Sequence, residues 1–262
     1  IQDGSNFKSA QVLKQLIPKK SIVGSYLLYS GALELSLSSA DRFVIAHTTR
    51  GVVYEFWKCL EADAEYVAKQ SKYFFDNLFQ GRGELFSVES TFEHLQEMWA
   101  TRPDPYVRAS YFFLLNRCSS NGLVSSGKLD LRHMSPHAFS SLKNVHLKNF
   151  HSHFDKADDF IDTINKEDES KYLLFPVGRY SQNLLRSSKI VGPEDTAVRH
   201  QKLHDYLKEC DKKWIVLYKK HRAVFQLYRG YNTTMVDKYG RKTLKTNMEP
   251  SSTKQNVLFV RM

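Results

Sequence analysis

Two histidines one residue apart, His151 and His153, stand just before Asp155 in the stretch HSHFD. On an extended backbone alternate side chains share a face, so both imidazoles would point one way with a carboxylate close behind. That is donor chemistry for a divalent metal. No third or fourth ligand of matching spacing accompanies them, because His133, His137 and His146 are near only in sequence. The expectation is therefore surface histidines and no metal. The three cysteines, Cys59, Cys118 and Cys210, are spaced too widely for a zinc site or a disulfide framework. They predict reduced thiols and an intracellular setting. No Gly-x-Ser-x-Gly elbow or phosphate-binding loop is present.

Charge is the next chemical signal. The formal net charge is +10, and residues 1–180 are balanced, so the whole excess falls in residues 181–262, with 17 basic and 7 acidic side chains. A local field of that kind favours a polyanion such as DNA, and Tyr and Phe interleave with the charges as on surfaces that track bases and backbone. The simpler alternative is a solvated basic surface. The positions that best fit phosphate contacts are Lys219, Lys220, Arg222, Arg229, Lys238, Arg241, Lys242 and Lys245. Such contacts give affinity without sequence information.

The elements that must carry these groups alternate between strand and helix. Residues 9–17 read as a short amphipathic helix ending at Pro18, residues 21–28 and 43–46 as apolar strands, and residues 52–60 and 62–75 as helices. Gly81 and Gly83 break the pattern before a helical segment at 88–99. Pro103-Asp104-Pro105 caps a helix at 106–116, and residues 119–133 read as a loop or thin hairpin. Residues 145–150 and 172–175 are candidate strands around an acidic helix at 155–164. Residues 181–196 are polar and expected to be mobile. A helix at 198–210, a strand at 214–218, a short helix at 223–227, a basic hairpin or loop at 238–254 and a last strand at 257–260 complete the chain. The 262 residues, 42% hydrophobic, suffice for a substantial core. No apolar run reaches the length of a membrane span. The pattern predicts an α/β sheet with helices on both faces, made of residues 1–54 and 143–262, and interrupted by a helical insertion at 55–142.

Five segments, in order, resemble the Dam-like DNA N6-adenine methyltransferases. YSGALELSL at 29–37 is similar to the glycine-rich loop that holds S-adenosylmethionine, and FVIAHTTRGVVYEFWKCL at 43–60 to the second strand and its helix. TRPDPYVRASYFFLLNRCSSNGLVSSGKLDL at 101–131 resembles the start of the target-recognition subdomain. KWIVLYKKHRAVFQLYRGYN at 213–232 resembles the late strand and helix, and KQNVLFVRM at 254–262 the closing strand. The resemblance implies a Rossmann-like methyltransferase sheet. It also implies DNA contacts from the region of Arg117 and Asn121, for which a helix cap followed by a turn is the plainer alternative.

At the functional positions the chain departs from that family. The family's catalytic Asp-Pro-Pro-Tyr, which accepts hydrogen bonds from a flipped adenine and stacks on it, corresponds to Phe175-Pro176-Val177-Gly178. No carboxylate lies between Glu169 and Glu194, although Tyr180 could supply a ring. The acid that holds the cofactor ribose corresponds to His47 or Thr48, and no acid occurs between Asp41 and Glu55. In the glycine loop Tyr29 and Ser30 precede a lone Gly31. Pro103-Asp104-Pro105-Tyr106 imitates the catalytic tetrapeptide, but it precedes a helix, where Asp then Pro is ordinary capping chemistry. The expectation is a catalytically inactive member with no catalytic residues and no cofactor, acting by binding DNA through its basic last third. The alternatives are an active enzyme with a rewired site that binds S-adenosylmethionine, or a protein-binding scaffold or inhibitor. None of these involves a membrane.

Overall fold

The computed structural model describes residues 7–28, 31–79, 88–119, 124, 128–164, 169–178, 180, 198–237, 239–243 and 256–262. The expected breaks at Gly81 and Gly83, the segment 181–196, and most of the basic stretch after Thr243 lie outside these residues. Among the described residues, no helix is long and apolar enough to cross a membrane.

Apolar runs build the sheet. The strands are β1 (Ile22–Ser25), β2 (Phe43–Thr48), β3 (Phe150–Phe154), β4 (Tyr172–Gly178), β5 (Lys213–Lys219), β6 (Asn232–Val236), β7 (Lys242–Thr243) and β8 (Asn256–Arg261). They lie in the order β3-β2-β1-β4-β5-β8-β6-β7. The first five are parallel, and β8 runs antiparallel between β5 and β6. In β5, Trp214 to Tyr218 are buried without interruption, as are Val257 to Val260 in β8. A strand buried at every position has both faces covered, so the central strands read as continuous apolar runs. The flanking helices include α1 (Ala10–Leu16), α2 (Ala32–Ser38), α7 (His200–Glu209) and α8 (Arg222–Leu227). The indole of Trp214 donates to Leu207 O at 3.0 Å and ties α7 to β5. The result is a mixed α/β fold with an eight-stranded, mostly parallel sheet, an arrangement compatible with a Rossmann-like fold.

The chain divides into two units. One, built on Val52–His146, is helical: α3 (Gly51–Phe79), α4 (Val88–Thr101), α5 (Pro105–Arg117) and α6 (Pro136–Lys143). Its buried side chains include Trp57, Leu60, Val67, Leu95, Trp99 and Leu114. The other unit carries the sheet. The two helices expected at 52–60 and 62–75 are joined in α3, but Asp63 has non-helical backbone angles. Its carboxylate accepts from the Tyr66 N–H at 2.8 Å, which caps the second half afresh.

Four expectations need correction. The strand placed at 145–150 begins only at Phe150, and FHSHF is an edge strand with alternating burial, too polar to stand out. The acidic helix at 155–164 reduces to one 3-10 turn at Phe160–Thr163, which Asp159 caps through the Ile161 N–H. Aspartates compete for the backbone and favour such caps over helix interiors. β6 has no counterpart among the expected strands, because Asn232, Thr233 and Thr234 hide it among polar residues. Finally, β4 does not turn after Phe175 but continues to Gly178, with its register against β5 shifted between those residues. Pro176 has no N–H to give the ladder, and Gly178 takes φ of 82°, which glycine alone adopts without strain.

Candidate functional site

In open parallel sheets, ligands bind beyond the carboxyl ends of the strands where the strand order reverses. Here the reversal falls between β1 and β4. The chain leaves β1 at Ser25 and changes partners within three residues. Tyr26 N–H still donates to Leu174 O of β4 at 2.8 Å, whereas Leu28 N–H donates to His47 O of β2 at 2.9 Å. Leu27, between them, has φ of 69°, a left-handed conformation costing about 1–2 kcal/mol for a residue with a Cβ. Gly31, with φ of 65°, then opens α2.

Aromatic rings cross this point. Tyr26 is 1% exposed. Its ring stacks on His47, with centroids 4.5 Å apart and planes 11° apart, and on Phe175, at 5.4 Å and 15°. Phe160 continues the row at 6.3 Å from Phe175. His47 of β2, Tyr26 just past β1 and Phe175 of β4 thus meet ring to ring, each such contact adding about 0.5–1.5 kcal/mol beyond burial. Phe175 is completely buried and offers no acceptor. Pro176 is half-buried, and Val177 and Gly178 are buried.

Two carboxylates reach this edge: Glu34, which the sequence did not single out, and Asp155, which it placed beside His151 and His153 but not beside His47. Glu34, in the first turn of α2, is buried and accepts from Ser25 Oγ at 2.8 Å. Burial pushes its pKa up, against the pull of its own backbone N–H and the Ser25 hydroxyl. Its signal was a lone acid inside the apolar run ALELSL. Asp155, just past β3, holds His47 Nδ1 at 2.9 Å and donates its own N–H to Thr48 O at 2.9 Å. The stretch without an acid after β2 therefore gains a carboxylate from the neighbouring strand, which no reading along the chain could pair with it. The Thr48 hydroxyl is used locally, accepting from Arg50 N–H at 3.1 Å. Tyr29 and Ser30 lie outside the described residues.

Tyr180 belongs to a different cluster. Its ring lies between those of His200 and His221, at 4.3 and 4.8 Å, and its carbonyl pairs with His200 Nε2 at 2.7 Å. His200 Nδ1 faces the Tyr218 hydroxyl at 2.9 Å. Burial pulls the His200 pKa down, Tyr180 O raises it and nearby His221 lowers it further.

Strand direction sorts the basic residues. Lys219 ends β5, and Lys220 and Arg222 follow it, on the edge where β1 and β4 end. Val236 pairs with Lys242, so Arg241 and Lys242 lie at the same edge. Arg229 precedes β6, whose first residue pairs with Val260 beside Ile215, and so occupies the opposite edge. Arg222, Arg229 and Lys242 are exposed. Lys219 Nζ donates to Asn256 Oδ1 at 2.6 Å, and Arg241 pairs with Asp237 at 3.0 Å. Arg117 ends α5 in the helical unit, packed on the Phe113 ring, with burial lowering its pKa. Asn121, Lys238 and Lys245 lie outside the described residues.

The imitation motif is a cap: Asp104 Oδ1 accepts from Val107 N–H at 2.9 Å and Pro105 is the first helical residue. No family model and no curated protein matches the chain.

Proposed function

We propose that the chain is a catalytically inactive relative of the Dam-like DNA adenine methyltransferases that works by binding duplex DNA along the carboxyl edge of its sheet. One observation carries this reading. At the edge where such a fold places its ligand, the strand ends are joined by the Phe175–Tyr26–His47 stack, while Lys219, Lys220, Arg222 and Lys242 gather on that same edge. A buried phenyl ring cannot accept a hydrogen bond from an adenine amino group. Basic side chains on a sheet edge can still neutralise phosphates, which requires no pocket.

The test is fluorescence anisotropy of labelled duplex DNA titrated with the full chain at several salt concentrations. Affinity should fall steeply with salt. Arg222→Glu or Lys242→Glu should weaken binding and reduce the salt slope by about one for each phosphate no longer neutralised. Arg229→Glu, on the opposite edge, should change affinity much less. If the wild-type chain does not bind duplex DNA even at low salt, the reading fails and a protein partner takes its place.

A further inference from the structure

We propose that His47, His153 and Asp155 form a binding site for a divalent transition-metal ion at the carboxyl ends of β2 and β3. The two strands are parallel, and His47 and His153 are direct partners in their register. Asp155 prolongs the pairing by one residue through its N–H to Thr48 O, which folds its carboxylate back between the imidazoles. Asp155 Oδ2 lies 2.9 Å from His47 Nδ1, and Oδ1 lies 3.4 Å from His153 Nε2. One donor atom from each of the three residues falls within 4.8 Å of the others.

That spacing matches what an ion needs. Ligands held at about 2.0–2.2 Å in tetrahedral geometry stand roughly 3.3 Å from one another. The two carboxylate oxygens stand near this distance, one from each histidine. The remaining approach is a rotation of His153, whose side chain is 59% exposed, toward His47, whose side chain is 13% exposed and fixed by its stack on Tyr26. His47 and Asp155 are thus preset, and His153 closes from the solvent side, which also gives the ion its way in. His47 Nε2 is buried with no hydrogen-bond partner among the described residues. For Nδ1 to coordinate, its hydrogen bond to Asp155 gives way to the ion and the ring carries its proton on Nε2.

Two imidazoles and one carboxylate suit zinc, cobalt, nickel or ferrous iron better than magnesium or calcium, which prefer oxygen. Three protein ligands leave coordination positions open to water. His151 is not part of this set: it shares the exposed side of β3 but packs on Phe43, at 4.9 Å. The pair visible in the sequence was the wrong one, and the missing ligand came from the adjacent strand.

The site stands independently of DNA binding. The experiment is calorimetric titration of the tag-free full chain with zinc, repeated with cobalt by absorption spectroscopy. One equivalent should bind, and cobalt should show the spectrum of a low-coordinate mixed nitrogen–oxygen site. His153→Ala, on an exposed side chain, and Asp155→Asn should each weaken zinc binding at least about tenfold. His151→Ala should leave it unchanged, and thermal melts establish that each variant is folded. Absence of zinc binding by the wild type, or affinity unchanged in a folded His153→Ala variant, overturns the proposal.

Discussion

The Tyr26 ring lies 4.5 Å from the imidazole of His47, nearly parallel to it. The residue that leaves the first strand is therefore stacked on the residue at the position where the family resemblance implies a ribose-binding acid. Phe175 covers the other side of Tyr26. The positions that the resemblance matches to the cofactor site and to the catalytic motif are joined by one intervening ring. A ring that packs both sides requires an apolar or aromatic partner on each.

Phe175→Ala removes a completely buried ring and should cost about 3–5 kcal/mol of stability. Urea denaturation measures it. A loss below about 1 kcal/mol would mean that the row is not a packed unit.

Glu34 makes stability depend on pH. Its folded pKa is raised by burial, so the folded chain takes up this proton more readily than the unfolded one. Its contribution is fully present below the unfolded carboxyl pKa and is lost as pH rises through the folded value. The unfolding free energy of the wild type minus that of Glu34→Gln should therefore fall as pH rises above the unfolded carboxyl pKa. Denaturant titrations of both proteins check this, and a difference that rises with pH contradicts it.

Asp104→Ala deletes the cap of α5 and should cost about 1 kcal/mol, read as a lower thermal midpoint. DNA affinity should be unchanged. Loss of DNA binding without loss of stability would give the Pro-Asp-Pro-Tyr segment a functional role after all.

Burial pushes the Cys59 thiol up to about 11 and the Cys118 thiol up to about 12, whereas Cys210 is only half-buried. A thiol-specific chromogenic reagent at mildly alkaline pH should modify Cys210 in the folded protein and all three cysteines after denaturation. Rapid modification of Cys118 in the native state would contradict its burial.

The sheet was legible where burial is continuous. WIVLY at 214–218 and LFV at 258–260 read as strands because both faces of the sheet are covered there. Strands rich in polar residues were not: FHSHF at 150–154 lies at the sheet edge with both histidines exposed, and NTTMV at 232–236, paired with β8 and the two-residue β7, opens on three polar side chains. Phe175 to Gly178 were not legible as a bulged strand, because the register slip there depends on the pairing with β5. The partner of Asp155, and Glu34 altogether, escaped for a related reason. Each reaches its partner, His47 or Ser25, through strand order or a helix turn rather than through spacing in the chain.

The most direct measurement is calorimetric titration of the full chain with S-adenosylmethionine. The stack of Tyr26 between His47 and Phe175 predicts no binding at millimolar cofactor. Saturable binding at micromolar concentration, with one cofactor per chain, would contradict the account and make the chain a methyltransferase with a rearranged site.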